Sequence, residues 1–326
     1  YNSTKKIIQI AKKTSKDDLV IFLISGGASA LLCSPLDGIN FDEKQKINNE
    51  LLKSGASIDE MNIVRQSISA VKGGRLLELI KPSNCITYGI SDIPGDDPSF
   101  IGSGPTIYSN NDPNKLFEIL DNYQIEISKE ILSIIKTNLL PKGINENFHL
   151  IASPMKALKA ASNLAKKIGF LPIILSDKLE GDASKEGERM ANLALKIKKE
   201  KRYKNISLEK PILLLSGGET TVKVNGLGKG GRNSEFALSM VNTLKGNKNI
   251  LGLSIDTDGI DGSEDNAGAF FSYETFLKSK KLNLDIKKYI NNNDAFSFFE
   301  KTKDLIYTGP TLTNVNDFRA VLVLPN

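Results

Sequence analysis

Asp18-Leu-Val-Ile-Phe-Leu-Ile-Ser-Gly-Gly27 decides the fold class, because an unbroken apolar run ends there in a turn made of one serine and two glycines. A half-exposed strand alternates apolar with polar residues, whereas a strand covered on both faces reads as a continuous apolar stretch. The run is too short for an ordinary helix, so it predicts a buried strand followed by a tight turn into 28–32. Pro211-Ile-Leu-Leu-Leu-Ser-Gly-Gly-Glu219 repeats the device. Other short apolar runs at 85–90, 171–175, 250–255 and 320–324 read as strands, and Thr220 to Val224 as a hairpin strand.

Between these strands the spacing is helical at 42–54, 58–80, 114–120, 128–138, 154–167, 184–200, 233–244 and 273–280. Asp42 and Ser57 are the expected N-caps and Gly55 a stop. Strands alternating with helices predict an α/β protein. At 326 residues the chain suits two domains. The charged stretch Lys198 to Lys210 is the natural linker. The expected division is therefore 1–207, a Rossmann-like domain with a largely parallel sheet, and 208–326, a smaller C-terminal α/β domain.

Composition excludes several classes. No apolar stretch is long enough for a membrane span. Two cysteines, Cys33 and Cys85, cannot make a disulfide framework or a cysteine-based metal site and fit a reducing compartment. The net charge of +5 is spread over helix faces, and the one dense basic run, Lys196 to Lys204, has Tyr203 as its lone aromatic, which argues against nucleic acid. With no targeting signal read from the chain, the expected location is cytoplasmic. A single histidine, His149, argues against a Ser-His-Asp hydrolase and a histidine-bound zinc.

The chemistry-bearing residues gather at strand ends, where open α/β sheets bind ligands. Backbone N–H groups at Ser25, Gly26 and Gly27, and at Ser216, Gly217 and Gly218, can approach an anion closely, although each segment also reads as a plain tight turn. Gly226-Leu-Gly-Lys-Gly-Gly-Arg-Asn233 contains G-x-G-x-x-G without the acidic residue about 20 positions on that a dinucleotide site needs, and without a P-loop Gly-Lys-Ser/Thr. What remains is a flexible loop at a helix N-terminus, with Lys229 and Arg232 suited to phosphoryl oxygens. Asp256-Thr-Asp-Gly-Ile-Asp-Gly-Ser-Glu-Asp265 carries five carboxylates, fails the EF-hand pattern, and suits Mg²⁺ held by few carboxylates plus phosphates, or a catalytic base. The loop 92–97, with Asp96, is of the same kind. Arg65, Ser69 and Lys72 fall three or four apart on one helical face and suit a carboxylate. An exposed basic face fits that spacing equally.

Leu23-Ile-Ser-Gly-Gly27, Glu60-Met-Asn-Ile-Val-Arg65, Lys72-Gly-Gly74, Ser91-Asp-Ile-Pro-Gly-Asp-Asp-Pro98 and Gly102-Ser-Gly-Pro-Thr106 together resemble the N-terminal domain of the glycerate 2-kinases. Leu215-Ser-Gly-Gly-Glu-Thr-Thr221, Gly230-Gly-Arg-Asn233, Thr257-Asp-Gly-Ile-Asp-Gly262 and Thr313-Asn-Val-Asn-Asp317 resemble their C-terminal MOFRL domain. The resemblance implies ATP- and Mg²⁺-dependent phosphorylation of D-glycerate, most often at the 2-hydroxyl, and is compatible with a homodimer. It places Arg232 on the developing phosphoryl charge, with Asp258 or Asp261 as base or metal ligand and Asp96 as a second metal candidate. Ser25 to Gly27, Arg65, Lys72, Ser216 to Gly218, Glu219, Lys229, Asn233 and Asn314 would bind substrate or nucleotide, without fixing which takes which. The family's lysine in a Gly-Lys-Ala segment would lie upstream of Tyr1, and Ser67 stands where many relatives carry histidine. The alternatives are an NAD(P)H-dependent hydroxypyruvate reductase, a label some relatives carry, and an inactive nucleotide-binding remnant.

Overall fold

In the computed structural model, which describes residues 1–93, 95–109, 112–144 and 147–325, the chain forms two compact units, Tyr1–Ile151 and Ala152–Asn326. The first runs α1 (Asn2–Ala11), β1 (Leu19–Ile24), α2 (Ala28–Leu31), α3 (Phe41–Ser54), α4 (Ile58–Ser67), α5 (Arg75–Leu79), β2 (Asn84–Ile90), α6 (Pro113–Asn122), α7 (Lys129–Thr137) and β3 (Phe148–Ala152). Its three-stranded sheet has the order β1-β2-β3, with β1 and β2 parallel. Val20 and Phe22 pack toward Val71, Leu76 and Ile80. Leu19, Ile21 and Leu23, on the other face of this edge strand, stay exposed, so the strand is not covered on both faces as its unbroken apolar run predicts.

Local signals explain the helix bounds. Glu43 forms a capping box with Asn40, which displaces Asp42 as the expected cap, and Glu60 forms one with Ser57; Gly55 closes α3 in a left-handed conformation. The helix expected over 58–80 breaks after Ser67. Gly73 and Gly74 take φ of 59° and 84°, which glycine adopts without steric cost. Arg75 then donates from Nη1 to the Gln66 and Ser69 carbonyls at 2.5 and 2.8 Å, satisfying acceptors that the broken helix leaves open. Ser69 and Lys72 therefore do not share a helical face with Arg65.

The second unit contains α8 (Pro154–Lys167), β4 (Leu171–Ser176), α9 (Ala183–Glu200), β5 (Arg202–Tyr203), β6 (Ile206–Ser207), β7 (Ile212–Gly218), α10 (Arg232–Leu244), β8 (Ile250–Asp256), β9 (Gly268–Phe271), α11 (Tyr273–Lys281), α12 (Ile286–Asn291), α13 (Ala295–Thr302), β10 (Leu305–Ile306) and β11 (Asp317–Val323). Its sheet has the order β10-β9-β8-β11-β7-β4. Because β4 pairs in parallel with β7, the boundary expected at 207/208 falls inside this unit, and the C-terminal unit is the larger. The stretch expected as a linker folds as the β5–β6 hairpin and its flanks. β11 lies antiparallel between β7 and β8, so the sheet is mixed. Phe236, Ala237, Phe271, Phe298 and Val321 form its core with α9 residues Ala191 and Ala194. The hairpin strand expected at 220–224 is absent, leaving one isolated bridge between Asp182 and Thr221.

Candidate active site

Three strand ends and one helix start converge in the second unit. Asp317 opens β11 and is in register with both Gly218 at the end of β7 and Asp256 at the end of β8. Arg232, the first residue of α10, reaches all three edges. Its Nε donates to Asp317 Oδ1 at 2.8 Å, Nη2 to Asp256 Oδ2 at 2.6 Å, and Nη1 lies 3.2 Å from Glu219 Oε1. Asn233 Nδ2 donates to the same Asp317 oxygen at 2.7 Å, and Ser254 Oγ donates to Asn233 Oδ1 at 2.6 Å. The other Asp317 oxygen accepts from Thr220 N at 3.2 Å and from buried Arg319, which stacks on Phe236. A cation fastened at two of its three nitrogens by buried carboxylates cannot swing, and its third nitrogen faces Glu219, whose side chain is 55% exposed.

Burial opposes the Arg232 charge, but Asp317, Asp256 and Glu219 outweigh it and hold the guanidinium above the ordinary arginine range. Asp256 has the opposite balance: burial lifts its carboxyl to about 7, aided by the charges of Asp258 and Asp317 and resisted by the Asp258 N–H and by Arg232. A carboxyl titrating near neutrality beside a fixed cation is the kind of group that takes a proton from an alcohol.

Asp261 is 1% exposed and caps α10: Oδ1 accepts from Asn233 N at 2.9 Å, and Oδ2 from Ser234 N and Oγ at 2.7 and 2.6 Å. Gly231 is needed for this approach, since a Cβ there would overlap the Asp261 backbone. Asp258 is half-buried, accepts from Ile260 N, and donates its own N–H to Asp256 Oδ1 at 3.2 Å.

The expectation of a flexible 226–231 loop is overturned. Asn225 and Gly226 donate to Asn293 Oδ1, Gly228 to the Asn292 carbonyl, and Lys229 N to Asp294 Oδ1. The glycines thus let this loop lie flat against 292–294. Lys229 remains exposed, with Nζ 3.4 Å from Glu264 Oε2. Ser216 and Gly217 are in the strand, not in a turn, because β11 continues to pair with them; the buried Ser216 Oγ has no partner among the described residues. Asn314 Oδ1 accepts from Asn316 N at 2.8 Å and shapes the turn into β11.

The first unit holds the remaining candidates. Ser25, Gly26 and Gly27 are exposed after β1, and a Cβ on Gly26 would strike Asp92. Asp96 takes φ 56°, and its buried Oδ1 has no partner among the described residues, which leave out Pro94 in the same loop. Ser67, at the position expected to carry histidine in many relatives, is buried and donates to the Ile63 carbonyl. Lys72 is 2% exposed and donates to the Ser29 and Gly102 carbonyls at 2.8 and 3.2 Å. Burial, with the Lys44 and Arg65 charges, holds its ammonium down to about 7 against the influence of Cys33. Of the residues that sequence reasoning passed over as actors, Asp256 closes the apolar run at 250–255, while Thr220 and Asp317 stood inside motifs that carry the family resemblance without a role of their own.

Two family models match the chain: a domain of unknown function, DUF4147, over residues 1–136, and the MOFRL family over 212–317. A protein named putative hydroxypyruvate reductase from Agrobacterium vitis is 42% identical, over 98% of this chain and 83% of its own. The D-glycerate 2-kinase of Thermotoga maritima is 37% identical, over 99% of this chain and 76% of its own. A crystal structure of glycerate kinase from the same organism superposes with a TM-score of 0.91 at 36% identity, covering 99% of this chain and 77% of that one.

Proposed function

Because the chain belongs to the glycerate kinase family, with its DUF4147 and MOFRL regions in order, we propose that it transfers the terminal phosphoryl group of ATP to the 2-hydroxyl of D-glycerate. The observation that carries this reading is the Arg232 clamp. Phosphoryl transfer asks mainly for positioned positive charge around a group whose equatorial oxygens share the developing negative charge. Arg232 supplies that charge without reorganising, since Asp256 and Asp317 already fix its plane, and its Nη1 can exchange the exposed Glu219 for a phosphoryl oxygen. Lys229, tied at its backbone and with its exposed ammonium held by the single ion pair to Glu264, suits an outer phosphate. Asp256, whose Oδ1 accepts only the long 3.2 Å bond from Asp258 N, is the better proton acceptor than Asp261, whose two oxygens accept three shorter bonds in capping α10. Asp261 is a positioning residue that sets where α10 begins and so where Arg232 stands.

Magnesium fits the residues present. Among the described residues no three His, Cys, Asp or Glu side chains form a ready-made metal cage. Magnesium keeps several waters and takes most of its ligands from phosphates, so it asks the protein for only one or two carboxylates. Asp258 in the second unit, or Asp96 in the first, whose Oδ1 has no partner among the described residues, would hold it. When bound it would neutralise phosphate charge.

The reductase reading would need a dinucleotide cradle, and the G-x-G-x-x-G segment is instead hydrogen-bonded along its length to 292–294. Coupled-assay ADP release with ATP, Mg²⁺ and D-glycerate, run beside NADH oxidation with hydroxypyruvate, separates the two. Glycerate-dependent ADP supports the kinase; hydroxypyruvate-dependent NADH loss without ADP overturns it.

A further inference from the structure

Five consecutive amides of the loop before Arg232 donate into the turn between α12 and α13. Asn225 N and Gly226 N reach Asn293 Oδ1 at 2.7 and 3.0 Å, Leu227 N reaches Asn292 Oδ1 at 3.2 Å, Gly228 N the Asn292 carbonyl at 2.9 Å, and Lys229 N Asp294 Oδ1 at 3.1 Å. Phe296 N returns a bond to the Lys229 carbonyl at 3.0 Å. Amides engaged in this way are not open to a phosphate, so what the loop offers a ligand is the Lys229 side chain.

Asn293 also ties this loop to α10. Its Nδ2 donates to Glu235 Oε2 at 3.0 Å and to the Lys223 carbonyl at 3.3 Å. The amide thus accepts two bonds and donates two, which is its full capacity. Glu235 is 5% exposed and lies in the first turn of α10, three residues past Arg232. One side chain therefore sets the separation between the loop that carries Lys229 and the helix start that carries Arg232. The Arg232 guanidinium has anchors of its own in Asp256 and Asp317. The Lys229 ammonium has the ion pair with Glu264, at 3.4 Å. Loss of Asn293 should accordingly displace Lys229 and leave Arg232 in place.

We propose that Asn293, held by Glu235, is a positioning residue that acts through Lys229 and keeps that ammonium in reach of the nucleotide's outer phosphate. The nucleotide part rests on the kinase reading; the pinning of loop to helix does not.

Glycine is the clean deletion, because it removes the amide and adopts the 52° φ of Asn293 without strain. In Asn293→Gly, hydrogen exchange of segment 223–231, read by mass spectrometry with α11 as internal control, should quicken about tenfold, as expected when two amides lose their acceptor. KM for ATP should rise about three- to tenfold with a smaller fall in kcat, the pattern of lost binding. In a Lys229→Ala background the same substitution should leave KM for ATP where Lys229→Ala alone puts it, since the two act as a unit. Asn293→Asp keeps the acceptor for the loop amides but sets a second carboxylate against Glu235, and should loosen the loop. Adding Glu235→Gln, whose amide can donate to the new carboxylate, should restore slow exchange and bring KM back toward the parent.

Parental exchange in Asn293→Gly, or a double variant no tighter than Asn293→Asp alone, overturns the pin. Faster exchange with no change in KM, or a rise in KM equally large in the Lys229→Ala background, overturns positioning through Lys229. If the parent releases no ADP with D-glycerate while the loop loosens and tightens as stated, the kinase reading falls, the nucleotide role falls with it, and the pin stands.

Discussion

Replacing Lys72 with methionine keeps the length of the side chain and removes a charge that the fold holds at a loss. Its folded-state pKa, about 7, lies below the ordinary 10.5, mainly through burial and then the Lys44 charge. The stability it withholds is therefore fully withheld below pH 7 and returned as pH rises toward 10.5. The gap in binding constants between folded and unfolded states corresponds to about 4 kcal/mol at pH 7 and about 2 kcal/mol at pH 9. Methionine strands the Ser29 and Gly102 carbonyls, at about 1 kcal/mol each at either pH. Lys72→Met is thus expected to be about 2 kcal/mol more stable than the parent at pH 7 and nearly equal to it at pH 9. Urea unfolding read by circular dichroism, in phosphate-free buffer and with Cys33→Ser in both chains to remove the thiol from this window, measures the difference. A gap that does not change between pH 7 and pH 9 would refute the reasoning, because it would mean that Lys72 ionises as freely as a surface lysine.

Arg232→Ala should cut kcat at least ~100-fold, and Arg232→Lys should recover little of it, because a lysine cannot span Asp256 and Asp317 together; near-normal turnover in either variant contradicts the role given to it. The pH profile of kcat/KM should fall on the acid side of about 7, where Asp256 takes up its proton, and Asp256→Asn should abolish that limb rather than move it. Asp261→Ala removes the acceptor of two helix N–H groups and a hydroxyl and should cost about 2 kcal/mol or more in thermal or denaturant unfolding. Lys229→Ala breaks one exposed ion pair, so its stability should stay within about 0.5 kcal/mol of the parent while KM for ATP rises.

The α/β class was readable from the unbroken runs at 19–24 and 212–215, although burial explains only the second: β7 is covered on both faces, whereas β1 leaves Leu19, Ile21 and Leu23 exposed. The pairing of the strands was not. Nothing near 317–323 says that this segment inserts antiparallel between β7 and β8, and the same blindness turned Ser216-Gly217 into an expected turn when β11 keeps it in the sheet. Helix starts were mostly legible, since Ser57 and Glu60 lie three apart, but the cap of α10 comes from Asp261, some thirty residues downstream, where no window of sequence would seek it. Lys44 was hidden in plain view: it shares the 44, 47, 51 spacing of a buried stripe, yet its charge reads as solvent-facing until its surroundings are known. Arg232 was found through its glycine-rich setting, whereas its partners Asp256 and Asp317 are brought to it only by the fold.

The central seat of β11 also bears on the order of assembly. β7 and β8 have no direct pairing and are joined only through this strand, which is translated some hundred residues after β7. Non-local pairings of that kind close late, after the cost of ordering a long loop has been met. Until they do, Arg232 has lost its Asp317 anchor and its helix stands beside two unjoined half-sheets. The Arg232 site is therefore not assembled until β11 has paired, and phosphoryl chemistry switches on in the same event that seals the sheet.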